Sequence, residues 1–175
     1  MGSNSKDYKE IKNMFITTTH HSNRTKVTVK IINGINDIES EVKVDLKKIM
    51  IVDDESDQIY TIKEALEDSQ EYEFTQANNG NECLELLKKS EEIPDIILLD
   101  IMMPNMSGWE VFDRMKSNQL WKDIPIVFLT ARTDKIAENA GEILGDAFIE
   151  KPVDIEDLKR RIDKILNDRN QKHSP

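Results

Sequence analysis

The sequence predicts an α/β fold: a doubly wound parallel sheet of five strands in the order 2-1-3-4-5, with an N-terminal extension ahead of it. Three observations lead there. Short, almost wholly apolar runs recur at Ile49–Val52, Ile96–Leu99 and Ile124–Leu129, the pattern of strands buried on both faces. Stretches with apolar residues three and four apart separate them, as in a parallel sheet with right-handed helical crossovers. Strand-like runs also stop at charge, namely at Asp53-Asp54, at Asp100 and at Lys151.

The 175 residues suffice for one domain of ordinary size plus an appendage, and are too few for two. Hydrophobic content of 38% against 33% charged suits a globular protein. No apolar run nears the roughly 20 residues that span a bilayer, so no membrane segment is expected. The opening Met1–Asp7 lacks the apolar core of a secretory signal, and Cys83 is the single cysteine, with no partner for an internal disulfide. A cytoplasmic setting is the expectation. Residues 47–175 carry 17 Lys and Arg against 28 Asp and Glu, whereas residues 1–46 are nearly neutral with 7 against 6. An acidic surface of that kind repels a nucleic-acid backbone, so direct nucleic-acid binding is not expected.

Residues 1–46 read as an extension, partly ordered or flexible. Val27, Val29 and Ile31 alternate with Lys26, Thr28 and Lys30, and Val42, Val44 and Leu46 alternate with Lys43 and Asp45. Asn33-Gly34 between them is a turn signal. The segment holds too few apolar residues for a core of its own, which makes it an arm packed on the main domain or on another chain, or a flexible tail. His20-His21 has no third ligand in reach and reads as polar surface.

From Lys47 the pattern becomes regular. Ile49–Val52 is the first strand, and Ile59, Ile62, Ala65 and Leu66 mark the inner face of the helix after it. Tyr72–Ala77 is the second strand, and Asn78-Asn79-Gly80-Asn81 opens a helix with Cys83, Leu84 and Leu87 inward. Ile96–Leu99 is the third. After Asp100 comes an irregular loop, Ile101–Gly108, then a helix using Val111, Phe112 and Met115. Ile124–Leu129 is the fourth strand, with Pro125 near its start, where a strand tolerates it. A helix with the thin stripe Ile136, Ala140, Ile143 and Leu144 follows, interrupted by Gly141. Ala147–Lys151 is the fifth strand, and Asp154 is placed to cap a last helix with Ile155, Leu158, Ile162 and Ile165 inward. The main domain thus spans residues 47–168, and 169–175 form a C-terminal tail.

In the order 2-1-3-4-5, strands 1 and 3 are neighbours at the topological switch point, so Asp53, Asp54 and Asp100 converge at the crevice where such sheets bind ligands. Carboxylates gathered there repel one another unless a hard divalent cation sits among them, and oxygen donors with open water positions suit Mg²⁺. A bound cation would in turn accept a phosphate oxygen. Asp100 is placed as a nucleophile toward phosphorus, because a carboxylate forms an acyl phosphate given positioning and charge neutralisation. Lys151 offers a point charge for a second phosphate oxygen, and the Thr130 hydroxyl and the Ala131 amide offer further donors. The purely structural alternative is a salt-bridge network between these acids and Lys151.

Asp53-Asp54 after the first strand, Asp100 followed by Met102-Met103-Pro104 and Gly108, Thr130-Ala131, and Lys151-Pro152 with Phe148 three residues earlier are the residues on which residues 47–168 resemble the receiver domain of two-component response regulators, of the chemotaxis-receiver type. The resemblance implies the flavodoxin-like fold, and the strand order above is itself partly carried by it. It implies a phosphorelay phosphoprotein in which the phosphohistidine of a histidine kinase or phosphotransfer protein donates to Asp100. Mg²⁺ would be held by Asp54, Asp100 and the Met102 backbone carbonyl, with Asp53 acting through water. Met102, Ala131 and Lys151 would bind the phosphoryl group, and Thr130 and Phe148 would be the switch pair. A cis Lys151-Pro152 peptide is also implied. The turn Gly145-Asp146-Ala147-Phe148 is one residue shorter than usual for the family. The output partner is an unknown downstream protein or a second copy of the chain.

Two other readings compete. A Mg²⁺-dependent phosphatase with an aspartyl nucleophile would share the chemistry but needs an acid two residues beyond the nucleophile, where Met102 stands. A degenerate receiver kept as a binding scaffold would lack Asp100, Lys151 or one of the first acid pair, and all are present. The expected role is therefore phosphoacceptor signalling with self-phosphorylation and self-dephosphorylation only, not turnover of a separate substrate.

Overall fold

In a computed structural model, residues 13–21, 24–33, 36–42, 46–67, 71–90, 93–130 and 147–172 are described. They fall into two compact units, residues 1–46 and 47–175. The first unit holds β1 (Asn13–His21), β2 (Arg24–Asn33) and β3 (Asn36–Val42), an antiparallel sheet in the order β1-β2-β3. The second strand of this segment begins at Asn36, not at Val42 as the Val42-Val44-Leu46 alternation implies. The reason is local: Asn33 pairs with Asn36, so β3 takes up its pairing three residues after β2 ends. Val44 lies outside the described residues, and β1 was not foreseen because five of its nine positions are Thr or His and blur the alternation.

The second unit carries β4 (Lys47–Val52), α1 (Ser56–Glu67), β5 (Tyr72–Ala77), α2 (Gly80–Lys89), β6 (Ile96–Asp100), α3 (Gly108–Lys116), β7 (Ile126–Thr130), β8 (Ala147–Glu150) and α4 (Ile155–Lys172). The five strands form one sheet in the order β5-β4-β6-β7-β8, with every neighbouring pair parallel. This is the doubly wound 2-1-3-4-5 sheet. The helix expected over Ile136–Leu144 lies outside the described residues.

Alternation along β4 decides which helices cover which face. Met50 and Val52 join Leu99 and Phe128 in a core closed by Leu84 and Leu87 of α2 and Val111, Phe112 and Met115 of α3. Ile49 and Ile51 join Ile96 and Leu98 in the opposite core, closed by Ile59, Ile62 and Leu66 of α1 and Leu158 and Ile162 of α4. Buried strands need apolar residues at both parities, which is why their runs are continuous. On α4 the stripe continues to Leu166, with Ile165 only partly buried. The fourth strand of this sheet starts at Ile126 instead of Ile124, because Pro125 has no N–H to add to the ladder, although its carbonyl still accepts from Ile97 N at 3.0 Å. Among the described residues, no helix is long and apolar enough to cross a membrane.

Three helix starts have side-chain caps, and at α4 it is the expected Asp154, whose carboxylate accepts from Asp157 N at 2.9 Å. Asn79 accepts from Glu82 N at 2.9 Å at the start of α2. At α3, Ser107 Oγ accepts from Glu110 N at 3.3 Å while the Glu110 carboxylate accepts from Ser107 N at 3.0 Å, a capping box. Those bonds hold the exposed Glu110 carboxyl below its ordinary range. Asn79→Ala is expected to cost about 1 kcal/mol, a drop of a few degrees in thermal midpoint. An unchanged midpoint by calorimetry would show that α2 does not rely on its cap.

Candidate functional site

At the C-terminal edge of the sheet, strand ends deliver polar groups that the core cannot hold. Asp53 follows β4 and is fully buried, Asp100 ends β6 at 3% exposure, and Thr130 ends β7 at 6%. Lys151 arrives because the β7–β8 ladder runs one bond past β8, Lys151 N donating to Thr130 O at 2.7 Å. The Lys151-Pro152 peptide that follows is cis.

The Lys151 ammonium sits between two carboxylates, donating to Asp53 Oδ2 at 2.6 Å and lying 2.8 Å from Asp100 Oδ1. The other oxygen of each acid is held by backbone. Asp53 Oδ1 accepts from Glu55 N, and Asp100 Oδ2 from Met102 N, each at 2.9 Å. Burial pushes the Asp100 carboxyl above its ordinary range, opposed by the bond and charge of Lys151 and reinforced by the charge of Asp53. Burial also acts against the charged form of Lys151, but the hydrogen bonds it donates to Asp100 and Asp53, with their charges, outweigh it and raise its pKa overall. So the salt-bridge network of the structural alternative is present in this state, with the cation shared by two acids.

Asp54 lies beside this pair on the solvent side. Asp53, Asp54 and Asp100 each bring a carboxylate oxygen within 4.8 Å of the others. Three carboxyls facing a single ammonium leave the crevice acidic, and hard oxygen donors that close, one of them open to solvent, fit a small divalent cation such as Mg²⁺.

The loop after Asp100 is tied back on itself, Gly108 N donating to Ile101 O at 3.0 Å. A Cβ at Gly108 would lie 2.3 Å from the Asp100 carbonyl oxygen and 2.9 Å from Ile101 Cα, so only glycine allows this approach. Asn105, at φ 64°, turns the loop. Met102 lies on its outside at 64% exposure.

Phe148 is half-buried on β8 and stacks on Phe128, with centroids 4.9 Å apart and planes at 26°. Trp109, the residue after Gly108, packs on both, 4.8 Å from Phe128 and 6.0 Å from Phe148. In register Phe148 stands opposite Phe128, and Thr130 stands opposite Glu150, two residues further along both strands. The structure thus gathers Asp53, Asp54, Asp100 and Lys151 at one point and sets Thr130 and Phe148 on neighbouring strands; Ala131 lies outside the described residues. Three contributors were not foreseen: the Glu55 amide, Phe128 and Trp109. The last two are contacts between distant segments that no local periodicity reports, whereas the capping box was legible as Ser107-x-x-Glu110.

The family profile described as response regulator receiver domain matches residues 49–163. The response regulator SaeR of Staphylococcus epidermidis is 40% identical over 119 residues, covering 67% of this chain and 49% of that protein. The 3′,5′-cyclic-nucleotide phosphodiesterase regA of Dictyostelium discoideum is 28% identical over 134 residues, covering 75% of this chain and 17% of that protein. The chain spans about half or less of the curated relatives it matches. Among solved structures, a CheY-like receiver domain protein from Methanospirillum hungatei superposes with a TM-score of 0.64 at 27% identity, covering 73% of this chain and 98% of that one. The chemotaxis protein CheY4 of Vibrio cholerae gives 0.62 at 26%, covering 69% and 98%.

Proposed function

The chain belongs to the response regulator receiver domain family, and on that premise we propose that it takes a phosphoryl group from a histidine kinase or phosphotransfer protein onto Asp100 and thereby switches the binding of a downstream protein. The observation that carries this reading is the Asp100 carboxylate itself. One oxygen is oriented by the Met102 amide and the other is held by Lys151, in a crevice with two further acids.

The transfer needs an oxygen of Asp100 to attack phosphorus in line while the P–N bond to the donor imidazole breaks, its electron pair staying on nitrogen. Lys151 would pass from Asp100 to a phosphoryl oxygen, keeping its bond to Asp53, and the Thr130 hydroxyl and the Ala131 amide would donate to the others. Asp54, Asp100 and the Met102 carbonyl would hold Mg²⁺, with Asp53 acting through water, and the ion supplies neutralising charge for the incoming group. In this reading the protein acts only on itself.

Incubation with a small acyl-phosphate donor tests it. A phosphorylated species is expected with Mg²⁺ or Mn²⁺ and none after chelation; labelling that persists in chelator would remove the metal from the proposal. The lifetime of the product is a separate expectation. Met102 stands where a side chain flanks the path of an attacking water and accepts no strong hydrogen bond from it. Slow self-dephosphorylation follows, and Met102→Asn, by adding one hydrogen bond of about 1 kcal/mol, is expected to speed it roughly fivefold. A rate unchanged or slower in that variant excludes this role for Met102.

A further inference from the structure

The three-stranded sheet of the first unit sorts its residues by chemistry. Residues paired across antiparallel strands share a face, so the registers Met14↔Ile31, Ile16↔Val29, Val27↔Val42 and Ile31↔Ile38 place Met14, Ile16, Val27, Val29, Ile31, Ile38 and Val42 together. The remaining positions on that face are uncharged at neutral pH: Thr18, Thr25, Asn33, Asn36 and Ser40, with His20 near one end. All six Asp, Glu, Lys and Arg residues of the three strands, Arg24, Lys26, Lys30, Asp37, Glu39 and Glu41, fall on the other face, with Lys30 opposite Glu39. A sheet with one wholly uncharged, largely apolar face needs a second layer. Among the described residues the first unit has none.

We propose that this face is the contact between two copies of the chain, laid sheet on sheet. A second copy presents the same face, so no charge is set against charge, and a two-fold pairing makes each apolar row meet its equivalent. The size is sufficient. Three strands about 4.8 Å apart and some seven residues at about 3.4 Å each give a flat footprint of roughly 350 Å², which side-chain relief raises to roughly 600 Å² of accessible surface per copy. The pair would bury on the order of 1,200 Å², the lower edge of stable interfaces. The described residues of the second unit close their own apolar cores and leave Tyr60, Ile93, Met102 and Leu120 as exposed large apolar side chains, on four separate segments, none of which matches an apolar sheet face. The first unit is also nearly neutral, so it can join copies that the acidic residues 47–175 would hold apart.

Light scattering after size exclusion on the full chain is expected to give twice the 20.2 kDa monomer mass. Val29→Lys, at the centre of the uncharged face, should halve that mass, and Thr28→Lys on the charged face should leave it. Because Val29→Lys could also unfold the sheet, Ser40→Cys and Glu41→Cys supply an independent reading, Cys83 being buried. A bis-maleimide of about 10 Å span, the distance between stacked sheets, should join two copies through residue 40 and not through residue 41. A monomeric mass at every concentration up to about 100 µM, or cross-linking equal at the two positions, overturns the proposal; so does protection of the β2 amides in a monomer, which would assign the cover to the same chain.

Discussion

Asp100→Asn is expected to accept no phosphoryl group at all, from a small acyl-phosphate donor or from a phosphohistidine partner, because the amide oxygen lacks the charge and nucleophilicity of a carboxylate. The fold should survive. Burial already works against the charge at Asp100, and the Asn oxygen can keep the bond from Met102 N. The change does take one partner from Lys151, but Asp53 remains 2.6 Å from that ammonium, so no buried cation is left alone. The sign of the linkage agrees. A carboxyl raised in the folded state contributes stability that is fully present below its unfolded range and lost as pH rises through its folded pKa, so losing the Asp100 charge is not expected to cost stability on that account. Intact-mass analysis of wild type and variant, with circular dichroism on both, separates the outcomes. A folded Asp100→Asn protein that still gains a phosphoryl group would place the nucleophile elsewhere.

Among the described glycines of the second unit, Gly108→Ala is expected to cost more stability than Gly80→Ala. The added Cβ would meet the backbone of Asp100 and Ile101 rather than the end of a side chain that can swing away. By contrast, a Cβ at Gly80 would meet Val111 Cγ2 and side-chain atoms of Met106, and the methionine can give. Overpacking against backbone costs on the order of 1–3 kcal/mol, a thermal midpoint lower by roughly 5 °C or more. Relief of the clash would have to shift the Asp100 carbonyl, so phosphoryl uptake should slow in the same variant. A midpoint within a degree of wild type would mean that the loop does not approach the strand this closely.

The parts of the molecule that could be read from sequence are those where one residue's environment is set by its neighbours in the chain. Buried parallel strands are continuous apolar runs, so β4, β6 and β7 announce themselves, and a charge that stops such a run must lie at a sheet edge. The convergence of Asp53, Asp54, Asp100 and Lys151 follows once the strand order is known, and that order was partly carried by the family resemblance. What could not be read depends on partners that are remote or locally ambiguous. The extent of β3 rested on how soon pairing resumes after β2, and β1 was hidden by its threonines. The shared position of Lys151 between two acids, the Glu55 amide on Asp53 and the packing of Trp109 on Phe128 and Phe148 are distances between segments, and periodicity carries no distances. The helix over Ile136–Leu144 and the donor Ala131 remain expectations of the sequence, outside the described residues.

The packing of Trp109 against Phe128 and Phe148 gives the molecule an optical consequence. Indole emission depends on what lies against the ring, and this indole adjoins both Gly108, at the close of the Asp100 loop, and Phe148, which the family resemblance implies as one of the switch pair. The other tryptophan, Trp121, is buried in the α2–α3 core at 7% exposure, in the segment that leads into β7, and is expected to supply a steady background. A turn of Phe148 would strip one aromatic wall from Trp109 and change its emission without any attached dye. If phosphorylation turns Phe148 as the resemblance implies, the switch would report on itself through the same three rings.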